Sequence, residues 1–249
     1  MLLKQILKLK AMEKTSLNSE QGLFMKPIGR LSFLRYTGTA AVATGFLMVG
    51  CRRIFDDPTN FPGKSKTVRL GSGDKGVLNY AYALEQLEAA FYMQIVATPF
   101  SGITAEETQI MSDLRYHEIA HRDFLKAALG KDAIRGLTVN FSSIDFTSRT
   151  SVLNTAKAFE DLGVSAYNGA GKLIKDANYL LIAGKIVSVE ARHAAAIRDL
   201  LNPKSADFAG DDVVDVVNGL DVARTPAQVL AIAGTYIKDT IDASHLPTS

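Results

Sequence analysis

Six side chains in this sequence are of the types and spacing that hold metal: Glu85, then Glu118 with His121, then Glu160, then Glu190 with His193. In chain order they read Glu, Glu-x-x-His, Glu, Glu-x-x-His. Residues three apart on a helix project from one face, one turn apart. Four helical stretches can therefore aim four carboxylates and two imidazoles at one point, a full ligand set for two metal ions inside a four-helix bundle. With 4 His and 9 Glu in 249 residues, chance supplies about 0.14 Glu-x-x-His matches, and two are present. A second regularity is independent of the first. Glu85 is followed seven residues later by Tyr92, and Glu160 seven residues later by Tyr167, so each tyrosine falls two turns along, below its own glutamate on the same face. The competing reading is four amphipathic helices whose acids and histidines lie on solvated faces, and the doubled motif disfavours it. Glu88, three residues after Glu85, can also face inward. The repeat selects Glu85 as ligand, because only Glu85 stands seven before a tyrosine, and leaves Glu88 as an acid beside the ligands or lining a channel.

The elements that must position these residues follow from periodicity and punctuation. A first helix is expected over 74–96, closed by Pro99 and Gly102. The second opens on a capping box, Thr104 with Glu107, and runs through Glu118 and His121 to Leu129, where Gly130 stops it. The third spans 151–174. Gly163, Gly169 and Gly171 each weaken it by about 1 kcal/mol relative to alanine, and close approach to a neighbouring helix is their expected use. The fourth spans 178–201 and ends at Asn202-Pro203. Short links make the first and second helices antiparallel, and likewise the third and fourth, while 130–148 is long enough to cross the whole bundle. A β-hairpin there is the weaker alternative, since Val139, Phe141 and Ile144 alternate only in part. The expected fold is thus all-α, a four-helix bundle over 74–201 with a long crossover between its second and third helices. Residues 202–249 read as a separate small helical extension, with a second capping box at Thr225 and Gln228 and proline at the first helical position. His245 is expected in an exposed tail. His117 points about 100° away from Glu118 on the helix and reads as structural or solvated.

A length of 249 residues with 47% hydrophobic content allows one sizeable core. The net charge of +2 is unevenly spread: residues 1–50 carry seven Lys or Arg against two Glu, and residues 51–249 carry 21 against 24 Asp or Glu. A slightly acidic domain argues against nucleic acid as partner. The basic N-terminal part reads as an export leader, with Met25 as a candidate true start. Lys26, Arg30 and Arg35 form its charged region, and 37–49 is an apolar run too short for a confident membrane span. It ends in Met48-Val49-Gly50-Cys51, which resembles a bacterial lipobox, with Cys51 as the lipidated first residue of the mature chain. The block RLSFLR at 30–35 resembles a twin-arginine motif, but Leu31 stands where the second arginine belongs, and the Tat or Sec route stays open. Residues 51–73, with Pro58, Pro62, Gly63, Gly71 and Gly73, read as a tether. The expected location is the bacterial cell envelope, lipid-anchored and outside the cytoplasm. A single cysteine excludes disulfides within the chain.

At the ligand motif the sequence resembles the ferritin-like superfamily. The Glu-x6-Tyr pairing is similar to bacterioferritin and rubrerythrin, where a helix tyrosine hydrogen-bonds a metal-ligand glutamate. The stretch LNYAYALEQLEAAFY, 78–92, together with the leader, resembles the bacterial ferritin-like domain family that includes desiccation-related proteins. The resemblance implies that Glu118 and Glu190 bridge two ions while Glu85 and Glu160 are terminal ligands, each held by a tyrosine. It implies iron first, and the carboxylate and imidazole donors also suit manganese or zinc. It further implies open positions for dioxygen or peroxide. Two functions follow as expectations: iron or peroxide redox chemistry, as a ferroxidase or peroxidase-type oxidoreductase, or a non-catalytic envelope protein of stress or desiccation tolerance with a structural metal. A homodimer is compatible with either. A closed storage cage is disfavoured by a lipid tether on every chain.

Overall fold

The computed structural model describes residues 67–248; the leader, Cys51 and most of the tether lie outside them. Four helices dominate: α1 (Gly73–Ala97), α2 (Ala105–Leu129), α3 (Arg149–Gly171) and α4 (Ala177–Leu201). Their ends have local chemical causes. At α2 the capping box forms as the sequence predicts, with the Thr104 hydroxyl accepting from the Glu107 amide and the Glu107 carboxylate accepting from the Thr104 amide. Gly130, at a φ of 56°, closes that helix in the left-handed region open to glycine. Ser148 caps α3 and Asp176 caps α4. Asp74, in the first turn of α1, accepts from the amides of Lys175 and Asp176, which fixes the α3–α4 turn against the start of α1.

The connection 130–148 runs the length of α1, as its successive contacts show. Asn79 bonds Asp132 and Ile134, Gln86 accepts from the Leu137 amide, Phe91 packs edge-on to Phe141 and tilted against Phe146, and the Ser101 amide reaches the Thr147 carbonyl. The chain thus returns to the end of the bundle where α2 began, and α3 runs parallel to α2. No hairpin forms there. Val139 makes a single antiparallel bridge to Ile237, and Ile144 enters the core while Phe141 packs against it. This is the topology of an all-α ferritin-like bundle.

Two expectations about its edges differ from the structure. Residues 67–73 are not tether: Val68 and Leu70 are buried, and β1 (Val68–Arg69) pairs in parallel with β4 (Ile241–Asp242). Alternating apolar residues in so short a segment give little periodic signal, yet suffice to bury it. Residues 202–249 are not a separate unit either. They form a small antiparallel pair, β2 (Val214–Asp215) with β3 (Leu220–Asp221), then α5 (Pro226–Ala233), whose Val229 and Ala233 are fully buried in the common core. Thr138 and Asn140 of the crossover exchange backbone bonds with Lys238 and Tyr236. Arg198 of α4, almost fully buried, holds the extension through paired bonds to Asp161 of α3 and to Asp212, plus the Asp207 carbonyl.

Candidate metal centre

Each helix of the bundle brings one set of polar side chains to the interior. Glu85, Glu88 and Tyr92 come from α1, Glu118 and His121 from α2, Glu160 and Tyr167 from α3, and Glu190 and His193 from α4. Glu85, Glu118 and Glu160 are fully buried and Glu190 nearly so. The histidines stand at one edge, where the His121 side chain keeps 14% of its exposure.

The six residues selected by spacing converge as two overlapping groups: Glu85, Glu118, His121 and Glu190, and Glu118, Glu160, Glu190 and His193. Within each group the candidate ligand atoms lie within 4.8 Å of one another. Glu118 and Glu190 belong to both, and each turns a different oxygen to each histidine. His121 Nδ1 is 3.8 Å from Glu118 Oε2 and 2.8 Å from Glu190 Oε1, while His193 Nδ1 is 2.9 Å from Glu118 Oε1 and 3.0 Å from Glu190 Oε2. That is the disposition of a carboxylate able to bridge two cations. Glu85 Oε2 lies 3.5 Å from His121 Nδ1, and Glu160 Oε2 lies 3.4 Å from His193 Nδ1, one terminal carboxylate for each group.

The tyrosines cross over. Tyr92 donates to Glu160 Oε1, and Tyr167 donates to Glu85 Oε1 at 2.5 Å. Each tyrosine bonds the glutamate of the other helix and not its own, for a physical reason. Seven residues carry a side chain about 10.5 Å along the axis, beyond the reach of a tyrosine hydroxyl to its own glutamate. Because α1 and α3 run antiparallel, residue 92 lies opposite 160, and residue 167 opposite 85. Each terminal glutamate thus has one oxygen held by a tyrosine and the other directed at the centre.

Six buried polar atoms here have no hydrogen-bond partner: Glu85 Oε2, both oxygens of Glu118, His121 Nδ1, Glu160 Oε2 and Glu190 Oε1. Close approach without hydrogen-bond alignment is what lone pairs directed at a common point produce. Left unsatisfied, such an atom costs about 1–3 kcal/mol, more when charged, so the donors fit a cation. The oxygen and nitrogen set suits iron, manganese or zinc.

The electrostatics agree. Burial pushes Glu85 and Glu88 well above the usual carboxylate range, with the neighbouring carboxylates adding to the effect. Burial also raises Glu160, to about 7, although His193 pulls against it. Glu118 is opposed by burial too, but the nearby His121 and His193 imidazoles prevail and hold it at about 2. Burial alone would lower both imidazoles; the facing carboxylates instead push His121 and His193 up to about 12. Without metal, protons occupy the centre in a cation's stead.

Two neighbours complete the site. Glu88 is buried without forming part of either group, and its Oε1 would lie 3.0 Å from a Cβ at Gly163 of α3. Gly163 stands three residues after Glu160, as Glu88 stands three after Glu85, so a glycine in one half leaves room for an acid from the other. His117 is the residue that sequence reasoning undervalued. It is exposed, yet its Nδ1 lies 2.9 Å from His193 Nε2. Its position next to Glu118 and four before His121 was the available signal. His245 is exposed.

An antiparallel bundle with a long crossover, whose interior carboxylates are shared between two histidines, defines the class of carboxylate-rich helical metal-site proteins. The family model of the ferritin-like domain matches residues 73–203, and the chain belongs to that family. No curated protein matches the chain.

Proposed function

We propose that the protein binds two metal ions, iron in the first instance, through Glu85, Glu118, His121, Glu160, Glu190 and His193, and that it serves in iron or peroxide redox chemistry at the bacterial cell envelope. The observation that carries this reading is the convergence of six unpartnered buried donor atoms in two groups that share Glu118 and Glu190. An iron pair supplies one-electron steps toward dioxygen or peroxide. The residues of this chain do the rest. Glu118 and Glu190 hold the two positions together, while Tyr167 and Tyr92 restrain Glu85 and Glu160 so that each offers one oxygen. The apolar core around the bundle keeps bulk water out, and the histidine edge is the least covered approach. The lipobox-like run ending at Cys51 supports the envelope address.

Metal content of protein purified without added metal is the first test, with two equivalents of iron, manganese or zinc expected per chain. Glu85→Ala is expected to lose at least one ion and Glu88→Ala to keep both. Protein loaded with Fe(II) under nitrogen and then given oxygen or peroxide should lose chelatable Fe(II) while the oxidant is consumed. Fewer than two equivalents in the wild type would remove the paired-metal reading. Two stable ions with no consumption of either oxidant would favour a structural metal in a non-catalytic stress-tolerance protein.

A further inference from the structure

The two halves of the motif match residue for residue at Glu118 and Glu190 and at His121 and His193, but not one position earlier, where His117 stands against Val189. The difference falls on one ligand. His117 Nδ1 meets His193 Nε2 at 2.9 Å, and the two rings lie edge to edge, with centroids 5.1 Å apart and planes within 4° of parallel. Val189 has no group able to do the same for His121.

We propose that His117 is a positioning residue that makes the two metal subsites unequal: by accepting the Nε2–H of His193 it fixes that ring with Nδ1 turned toward Glu118, Glu160 and Glu190, so the His193 subsite takes its ion first. The inference rests on the paired-metal reading. When an ion displaces the Nδ1 proton, the one proton left on the neutral ring stands on Nε2. His193 Nδ1 already faces three carboxylates, and Nε2 faces outward, where His117 receives it. Because His117 and Glu118 are consecutive on α2, the backbone that places a bridging carboxylate also places the acceptor that orients the opposite histidine. Loss of such an outer partner typically lowers metal affinity 10–100-fold.

The test is calorimetric titration of the full metal-free chain with Zn(II) alone, for wild type, His117→Ala, His117→Phe and His117→Asn. Wild type should show two steps at least about tenfold apart. The alanine and phenylalanine variants should weaken the tighter step by about 10–100-fold and leave the weaker one nearly unchanged. Asparagine, whose Oδ1 can stand where Nδ1 was, should recover most of the loss. Phenylalanine separates ring packing from hydrogen bonding, and a nitrogen-15 spectrum of the zinc-loaded wild type should put the His193 proton on Nε2. Two equal steps in wild type, a phenylalanine variant as tight as wild type, both steps weakened alike, or the proton on Nδ1 would each overturn the inference while the metal pair stands. A wild type that binds fewer than two zinc ions would overturn both readings. The spectrum decides for the wild type even if a variant fails to fold.

Discussion

Tyr92 and Tyr167 bind carboxylates in the opposite half of the bundle, and this crossing can be measured. Tyr167 and Glu85 are 82 residues apart in sequence yet share a buried hydrogen bond. A double-mutant cycle with Tyr167→Phe and Glu85→Gln in metal-free protein should therefore give a coupling energy of about 1 kcal/mol or more, as expected for a bond to a charged or partly charged group. The cycle of Tyr92→Phe with Glu85→Gln should stay within about 0.5 kcal/mol of additive. Reversal of the two results would pair each tyrosine with the glutamate of its own helix. The protons at the site make a second prediction. Glu85, Glu88, Glu160, His121 and His193 all have folded-state values above their ordinary ones. Each therefore contributes stability that is fully present below its unfolded value and is lost as pH rises through the folded one. Glu118, held at about 2, is the exception of opposite sign, and its contribution is lost only in strong acid. The metal-free protein should accordingly melt at higher temperature at pH 5 than at pH 8. Metal must displace those protons, so the gain in melting temperature on adding Zn(II) should grow over the same interval. A metal-free melting temperature that rises from pH 5 to pH 8 would contradict the assignment.

At the scale of elements, α3 carries both a terminal carboxylate and the seat of the C-terminal extension. Arg224 donates its amide to the Ser165 carbonyl and its guanidinium to the Ser165 hydroxyl, and a Cβ at Gly169 would lie 1.8 Å from the Arg224 carbonyl oxygen. The close approach expected of the glycines in this helix is thus made at Gly169 by an irregular segment, which only the fold could bring there. Gly169→Ala must displace backbone and is expected to destabilise by about 1–3 kcal/mol. Gly163→Ala meets only the flexible end of Glu88 at 3.0 Å, and alanine is the better helix former by about 1 kcal/mol, so its effect should be near neutral. Chemical denaturation of the two variants measures the contrast, and equal losses would contradict the seat at Gly169. A second tie joins three helix ends. Glu107 completes the cap of α2 and accepts from Arg149 at the start of α3, and Arg149 also donates to the Leu200 carbonyl at the end of α4. Burial works against the Glu107 carboxylate, but the bonds from Thr104 and Arg149 prevail and lower its pKa. Its contribution is present above its ordinary value near 4.5 and is lost in acid.

For the whole molecule, the N-terminal strand, the crossover and the C-terminal extension lie together along the bundle, with β1 on β4 and residues 138–140 beside 236–238. Cys51 lies upstream of this body, 17 residues before β1, and the lipobox-like run predicts diacylglycerol there. Radiolabelled palmitate should enter wild-type protein and not Cys51→Ser; equal labelling, or none in either, would remove the anchor. The sequence by itself determined the four helices to within a few residues of their ends, and the six converging side chains. Helical periodicity, capping boxes and the Glu-x-x-His spacing are relations among residues a few positions apart, which the chain enforces locally. What only the tertiary structure decided was which groups meet across the bundle: Tyr92 with Glu160, Tyr167 with Glu85, Glu88 over Gly163, and His117 against His193. Those pairings join residues 68 to 82 positions apart. They depend on the antiparallel docking of α1 on α3 and of α2 on α4, and no local pattern carries that information.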